Sequence, residues 1–228
     1  MPASWLARWL NLEFMAKYAP WYVDAAGLTV KIALWGVLFS LGVGFLCAAV
    51  QYYRLPVLRQ ITAVYIELSR NTPLLVQLFF LYFGLPRVGF TLSGEACAVI
   101  GLTFLGGSYM AEAFRSGLES VERSQLESAA SLGFSRGQTM REIVFPQALA
   151  VSVPGLCANV VFLIKETSVV SAIALADLMY VAKDLIGLYY ETDEALLMLV
   201  IAYLVILLPV SALATLLERR LRYAGFGD

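Results

Sequence analysis

Long uncharged apolar runs, separated by short polar ones, set the pattern of this chain. Ile32–Tyr53 and Ile143–Ile164 are each 22 residues without a charge, and Ala195–Leu217 is 23. A helix needs about 20 apolar residues to cross a bilayer core, so each run predicts one crossing. Two less clean stretches predict two more. One follows Arg59 and runs through LLVQLFFLYFGL; the other is Ala96–Ala111, between Glu95 and Glu112. Runs such as LLMLVIAYLVILL do not alternate apolar with polar, which excludes the strands of a membrane β-barrel. The pattern therefore predicts an all-α integral membrane protein with five transmembrane helices over residues 27–220.

Two segments break the apolar rhythm. Residues 1–26 mix Arg8, Glu13 and Lys17 with Trp5, Leu6, Trp9, Leu10 and Phe14, the pattern of an amphipathic helix lying at headgroup depth. No uninterrupted apolar core precedes a small-residue cleavage site there, which argues against a cleaved leader. The second segment, residues 119–146, is polar and helix-forming. Ser124 with Glu127, and Ser135 with Gln138, each have capping-box spacing, and Gly133 between them suits a left-handed stop. Phe145-Pro146 marks the start of the next span. The expectation is helix, glycine stop, helix, span, with Leu126, Ala129 and Ala130 forming a small-residue face able to enter a groove on another protein. Residues 221–228 form a short tail.

Composition agrees with lipid as the solvent: 60% of the 228 residues are hydrophobic and 14% charged. Charge adds an orientation. Arg54, Arg59, Arg115, Arg123, Arg136, Arg141, Arg219, Arg220 and Arg222 fall on one side; Arg8, Lys17, Arg87 and Lys183 fall on the other. The richer side is expected to be cytoplasmic, putting the N-terminus outside and the C-terminus and the polar loop inside. Asp177, Asp184, Glu191, Asp193 and Glu194 then gather outside, read as a solvated face, with a docking surface for an outside partner as the alternative. Cys47, Cys97 and Cys157 sit in apolar runs, and the chain has no histidine, so neither a metal site nor a catalytic residue is expected.

The pattern Glu127-Ser128-Ala129, three residues, Gly133, nine residues, Ile143-x-x-Pro146 resembles the EAA loop of ABC-importer membrane subunits, with Ser128 for the first alanine and Phe145 for the leucine. YIELSRNTPLLVQLFFLYFGLP (65–86), YMAEAFRSGLESV (109–121) and LIKETSVVSAIALADL (163–178) look like the polar-amino-acid branch of that family. The resemblance covers residues 28–220. It implies a type I importer bundle in the bacterial inner membrane, with Glu127, Ala129, Ala130, Leu132 and Gly133 forming a cytoplasmic coupling helix against an ATPase. It also implies the partners: an ATPase dimer, a second permease chain of the same or another sequence, and an extracytoplasmic amino-acid-binding protein. No cofactor is expected in this chain, which lacks a GxxxxGK[ST] motif; ATP and Mg²⁺ would belong to the partner ATPase. Nucleic acid is not an expected partner.

Charges inside spans are costly and point to function. Lys31, near the end of the first span, can snorkel to the interface and reads as structural. Glu67 with Arg70, and Glu112 with Arg115, are spaced to pair along one helix. Lys165 and Glu166 are adjacent, point about 100° apart and cannot neutralise each other well. Thr167 and Ser168 follow, able to end one helix and cap the next; a broken helix at that depth fits a cavity wall. An amino acid needs both signs of charge. Arg70 and Lys165 could meet its carboxylate, Glu112 and Glu166 its ammonium, and Asn71, Thr72, Gln77, Tyr109, Thr167 and Ser168 its remaining polar groups. An ion-gradient-driven transporter or channel, acting as a homodimer, is the alternative. Its weakness is the lack of an internal repeat, and it has no need for a glycine-broken loop. An enzyme is disfavoured, because neither HExxH nor a nucleophile elbow occurs.

Overall fold

The computed structural model describes residues 10–225, with side chains through Leu221. Helices follow one another in the order α1 (Leu12–Tyr52), α2 (Leu58–Arg70), α3 (Leu74–Phe79), α4 (Gly94–Glu119), α5 (Arg123–Ser131), α6 (Arg136–Thr139), α7 (Phe145–Glu166), α8 (Leu178–Tyr189) and α9 (Thr192–Gly225). Among the described residues, four helical stretches are long and apolar enough to cross a membrane: α1, α4, the continuous Arg136–Ile173 that contains α7, and α9. The chain is an all-α integral membrane protein.

The expected second span is broken rather than continuous. α2 stops at Arg70, and the chain restarts as α3, then passes through a π turn at Phe80–Gly84 and a 3₁₀ turn at Leu85–Val88. Pro73 explains the stop: it has no N–H, and its ring disfavours helical geometry at Thr72. Side chains close the orphan carbonyls. Asn71 Nδ2 donates to the Glu67 carbonyl at 2.8 Å, and Thr72 Oγ1 to the Leu68 carbonyl at 2.7 Å.

The separate interfacial segment expected over residues 1–26 is not seen where the chain is described; residues 1–9 lie outside the described part. From Leu12 onward the segment is the first part of the 41-residue helix α1. Phe14, Tyr18, Tyr22 and Ala25 recur every three or four residues and form a buried stripe. The expected tail likewise begins inside α9, and residues 226–228 lie outside the description.

The chain divides into two compact units. The first comprises residues up to Trp35, Leu74–Gly101 and Ile164–Pro209. Its core packs the α1 stripe against Leu178, Val181, Ala182 and Leu185 of α8 and Ala195, Met198 and Leu199 of α9. Tyr22 Oη donates to the Ala195 carbonyl at 2.7 Å, which satisfies a hydroxyl that this burial would otherwise strand. Two of the five acidic residues expected on a solvated face are buried here. Asp177 is 0% exposed and caps α8 by accepting from the Tyr180 N–H at 2.9 Å. Glu194, also buried, accepts the Asn11 N–H at 2.7 Å. Lys31 ends in an ion pair with Glu95 at 2.6 Å, both half-exposed, in keeping with a structural role.

The second unit comprises Gly36–Pro73, Leu102–Leu163 and residues from Val210 onward. Small residues bring its helices into close contact, as membrane interfaces favour. Gly117 of α4 faces α7 so closely that a Cβ there would overlap the Ala148 carbonyl and the Ser152 hydroxyl. Cys47, Ile66 and Ala111 form a small buried cluster joining α1, α2 and α4.

Candidate functional site

In the second unit, α2 and α4 are cross-linked by hydroxyls. Tyr65 Oη and Ser69 Oγ each donate to the Phe104 carbonyl at 2.7 Å, and the Ser69 and Ser108 hydroxyls lie 3.1 Å apart. This fixes the end of α2 and therefore Arg70. The Arg70 guanidinium bonds the Glu112 carboxylate and stacks over the Tyr109 ring, 5.2 Å from its centroid. Tyr109 in turn packs against Phe162 at 5.3 Å between centroids. The sequence predicted different pairings. Arg70 takes Glu112 instead of Glu67, and Arg115 pairs with Glu119 at 2.9 Å instead of with Glu112. Glu67 accepts from Asn71 Nδ2 at 3.0 Å. Arg70 leaves Glu67 because the adjacent helix α4 offers Glu112 at the right height, and with Glu112 taken Arg115 pairs one turn further along α4. Phe162, the support behind Tyr109, was not anticipated: an apolar ring in an apolar run gives no sequence signal.

Lys165, Glu166, Thr167, Ser168 and Gln77 belong to the first unit. α7 ends at Glu166 and tightens into a 3₁₀ segment, Thr167–Ile173, which stops at Ala174 with φ 59°. The expected break is thus a change of helix type at Thr167, with the left-handed stop seven residues later. Thr167 Oγ1 does act as foreseen at the end of α7, donating to the Ile164 carbonyl at 2.7 Å. α3 packs on the 3₁₀ segment and carries the buried Gln77. Lys165 is exposed and Glu166 half-buried, and neither enters an ion pair among the described residues.

The polar loop folds as helix, stop, helix. Gly133 has φ 80°, its N–H donates to the Ala130 carbonyl and the Phe134 N–H to the Ala129 carbonyl, both at 3.0 Å. Together these bonds form a Schellman stop. The Ser135 capping box is complete: Ser135 N–H to Gln138 Oε1 at 2.9 Å, Gln138 N–H to Ser135 Oγ at 3.3 Å. The box expected at Ser124 does not form. α5 starts two residues earlier, with Glu122 at the cap, and Glu127 pairs with Arg123 at 2.9 Å. Of the expected small-residue face, Leu126 is half-buried, Ala130 is exposed, and only Ala129 turns inward. Ala129 is 1% exposed, buried in its own chain, whereas Leu132 at the stop is 78% exposed. Glu127, Ala130 and Gly133 are exposed. Gln147 Nε2 donates to Gln125 Oε1 at 2.6 Å, bracing α5 against the start of α7.

A capped, braced loop thus joins charge-bearing membrane helices, and comparison with known proteins gives this arrangement a family. Residues 40–223 match the family described as "Binding-protein-dependent transport system inner membrane component". The chain belongs to this family. It is 36% identical over 196 residues to the Vibrio harveyi "Probable amino-acid ABC transporter permease protein PatM", covering 85% of this chain and 88% of that protein. It is 35% identical over 180 residues to the Bacillus subtilis "Probable glutamine ABC transporter permease protein GlnP", covering 77% and 83%. The crystal structure of an amino acid ABC transporter with histidines matches with a TM-score of 0.86 and 31% identity, over 92% of this chain and 99% of that one. An inward-facing structure of the MetNI methionine ABC transporter shares the fold, with a TM-score of 0.71 at 17% identity over 88% and 95%. The chain is therefore a multi-pass membrane permease subunit, and the ion-gradient alternative loses its ground. Transport systems of this family use an ATPase and a substrate-binding protein.

Proposed function

We propose that this permease subunit carries polar amino acids inward across the bacterial inner membrane. It forms half of a pore with a second permease chain, and a cytoplasmic ATPase dimer drives it by hydrolysing Mg-ATP. The observation that carries the reading is the state of Lys165 and Glu166, opposite charges on adjacent membrane-span residues with no ion-pair partner among the described residues. An unpaired charge at such depth is costly, and a zwitterion supplies the missing partners. Lys165 takes the carboxylate and Glu166 the ammonium; Thr167, Ser168 and Gln77 add neutral hydrogen bonds. Arg70 and Glu112 already satisfy each other, with Tyr109 on the guanidinium face, so they act on solute only when their pair opens; Asn71 and Thr72 hold that end of α2 in shape. Amino-acid permeases among the relatives support the substrate class.

The loop takes the push. Leu132 and Gly133 at the stop, with Glu127 beside them, face the ATPase, while buried Ala129 packs α5 onto the permease itself and Ala130 faces the space beneath the loop. α7 carries Gln147, the brace, near its start and Lys165 near its end, so one helix links the loop to the charged segment. The proposed orientation keeps the N-terminus and the amino-acid-binding protein outside and the loop and C-terminus in the cytoplasm.

The test is a panel of amino acids offered to proteoliposomes holding the whole complex, with ATP and binding protein supplied. ATP-dependent uptake restricted to polar amino acids is expected. Uptake that ignores ATP and follows a proton gradient, or uptake of sugars in place of amino acids, would refute the proposal.

A further inference from the structure

Apart from the solute-binding residues, the second unit contains a cavity of about 460 Å³ beneath the loop. Its walls have two characters. Tyr52 and Tyr53, at the end of the first apolar run, pack edge to face with centroids 5.4 Å apart and bring two hydroxyls, while the Thr139 hydroxyl donates to the Ser135 carbonyl at 3.1 Å. Arg136 is the one charged residue in the lining and makes no ion pair among the described residues, whereas neighbouring Arg123 and Arg141 are both paired. Among the described residues, no carboxylate lines the cavity. Phe134, Met140 and the remaining lining are apolar.

We infer that this cavity binds an anionic phospholipid, its phosphate on Arg136 and the tyrosine hydroxyls and its chain along Phe134 and Met140. Three observations converge. The end of an apolar run followed by Arg54 is where a span leaves the hydrocarbon, and tyrosines favour that depth. One cation with hydroxyl donors and no acid selects an anion, and basic pockets beside membrane helices suit anionic headgroups. The volume falls within the range of small-molecule sites, and the apolar walls would be wetted without a chain to cover them. Because Leu126 and Ala130 of α5 also line the cavity, an occupant would brace the loop from inside. The inference requires only that α1 crosses a bilayer, so it stands or falls separately from the proposed substrate.

The test uses the intact complex of permease and ATPase, stripped of lipid and reloaded with phosphatidylglycerol or phosphatidylcholine of the same chains. Retained lipid is counted by native mass spectrometry. Phosphatidylglycerol should be held roughly fivefold better, the worth of one basic contact near a membrane surface. Arg136→Gln should erase the difference, Arg136→Lys should keep it, and Met140→Trp, which fills the cavity, should expel both lipids. Equal retention of the two lipids would overturn the inference, as would an unchanged preference in Arg136→Gln. Displacement by millimolar inorganic phosphate would assign the site to free anions. Retention by permease without ATPase, but not by the intact complex, would assign it to an ATPase side chain.

Discussion

Two pairs of opposite charges in the membrane spans have met different fates. Arg70 and Glu112 come from different helices, satisfy each other and are capped by the Tyr109 ring. Lys165 and Glu166 are neighbours in sequence and stay apart, because consecutive residues on a helix point in different directions. A closed pair is chemically quiet, while an open pair is a standing demand for a ligand of both signs. The contrast teaches that formal charge in a span does not mark a binding residue. In the proposed function, what marks it is charge that the fold leaves unanswered.

The largest expected effect is therefore at Lys165. Lys165→Ala should cut amino-acid uptake about a hundredfold, the loss of a desolvated charge-assisted contact, while the complex still assembles. Unchanged uptake kinetics would remove Lys165 from the site. Gly133→Val comes next. A Cβ at Gly133 meets nothing within 4 Å, so any penalty is conformational, from forcing a β-branched residue to φ 80°. Transport should fall about tenfold with ATP hydrolysis continuing. Normal ATP-driven uptake by a well-expressed variant would show that the stop is dispensable. Glu112→Gln should do less, about fivefold or under in apparent KM, because a half-exposed pair contributes little. A hundredfold loss there would erase the contrast and put Glu112 on the solute.

The smallest effect concerns Asp177, whose burial pushes its carboxyl up to about 6 against the opposing help of the Tyr180 N–H. A raised folded-state value means that the folded chain binds this proton more tightly than the unfolded chain does. Stability from this group is then greatest below about 4, declines through about 6 and is level above it. Asp177→Asn keeps an oxygen for the Tyr180 N–H and should raise the thermal midpoint at neutral pH by about 2–4 °C while flattening the slope below pH 6. A lower midpoint at neutral pH would mean that the ionised form is the one the fold wants.

Much of this was readable from the chain alone, and the misses share a cause. Apolar runs bounded by charges found the long helices, because lipid forces backbone bonds to close within one segment. Ser135, Gln138 and Gly133 were read correctly, since caps and stops are local chemistry. Arg70 was paired with Glu67 on spacing, but its partner lies on another helix, which spacing cannot see. The segment with Glu13, Phe14 and Lys17 looked interfacial because aromatics mixed with charges suit headgroups and the edges of packed interiors alike. Tyr22 is decided by the Ala195 carbonyl, 173 residues away. Ser124 failed as a cap because Glu127 had a competing partner in Arg123. The 3₁₀ and π turns leave no compositional trace at all.

One of those turns has a mechanical meaning. Met140–Val144 is a π turn lying between the capped helix α6 and span α7. It holds one residue more than a regular turn would. Deleting a single residue there would let the rod anneal into an uninterrupted α-helix and swing everything before it by about 100°. Gln125 would be carried off Gln147 with every side chain otherwise intact. The angular phase of the loop is thus stored in one surplus residue, which makes it adjustable by a single codon.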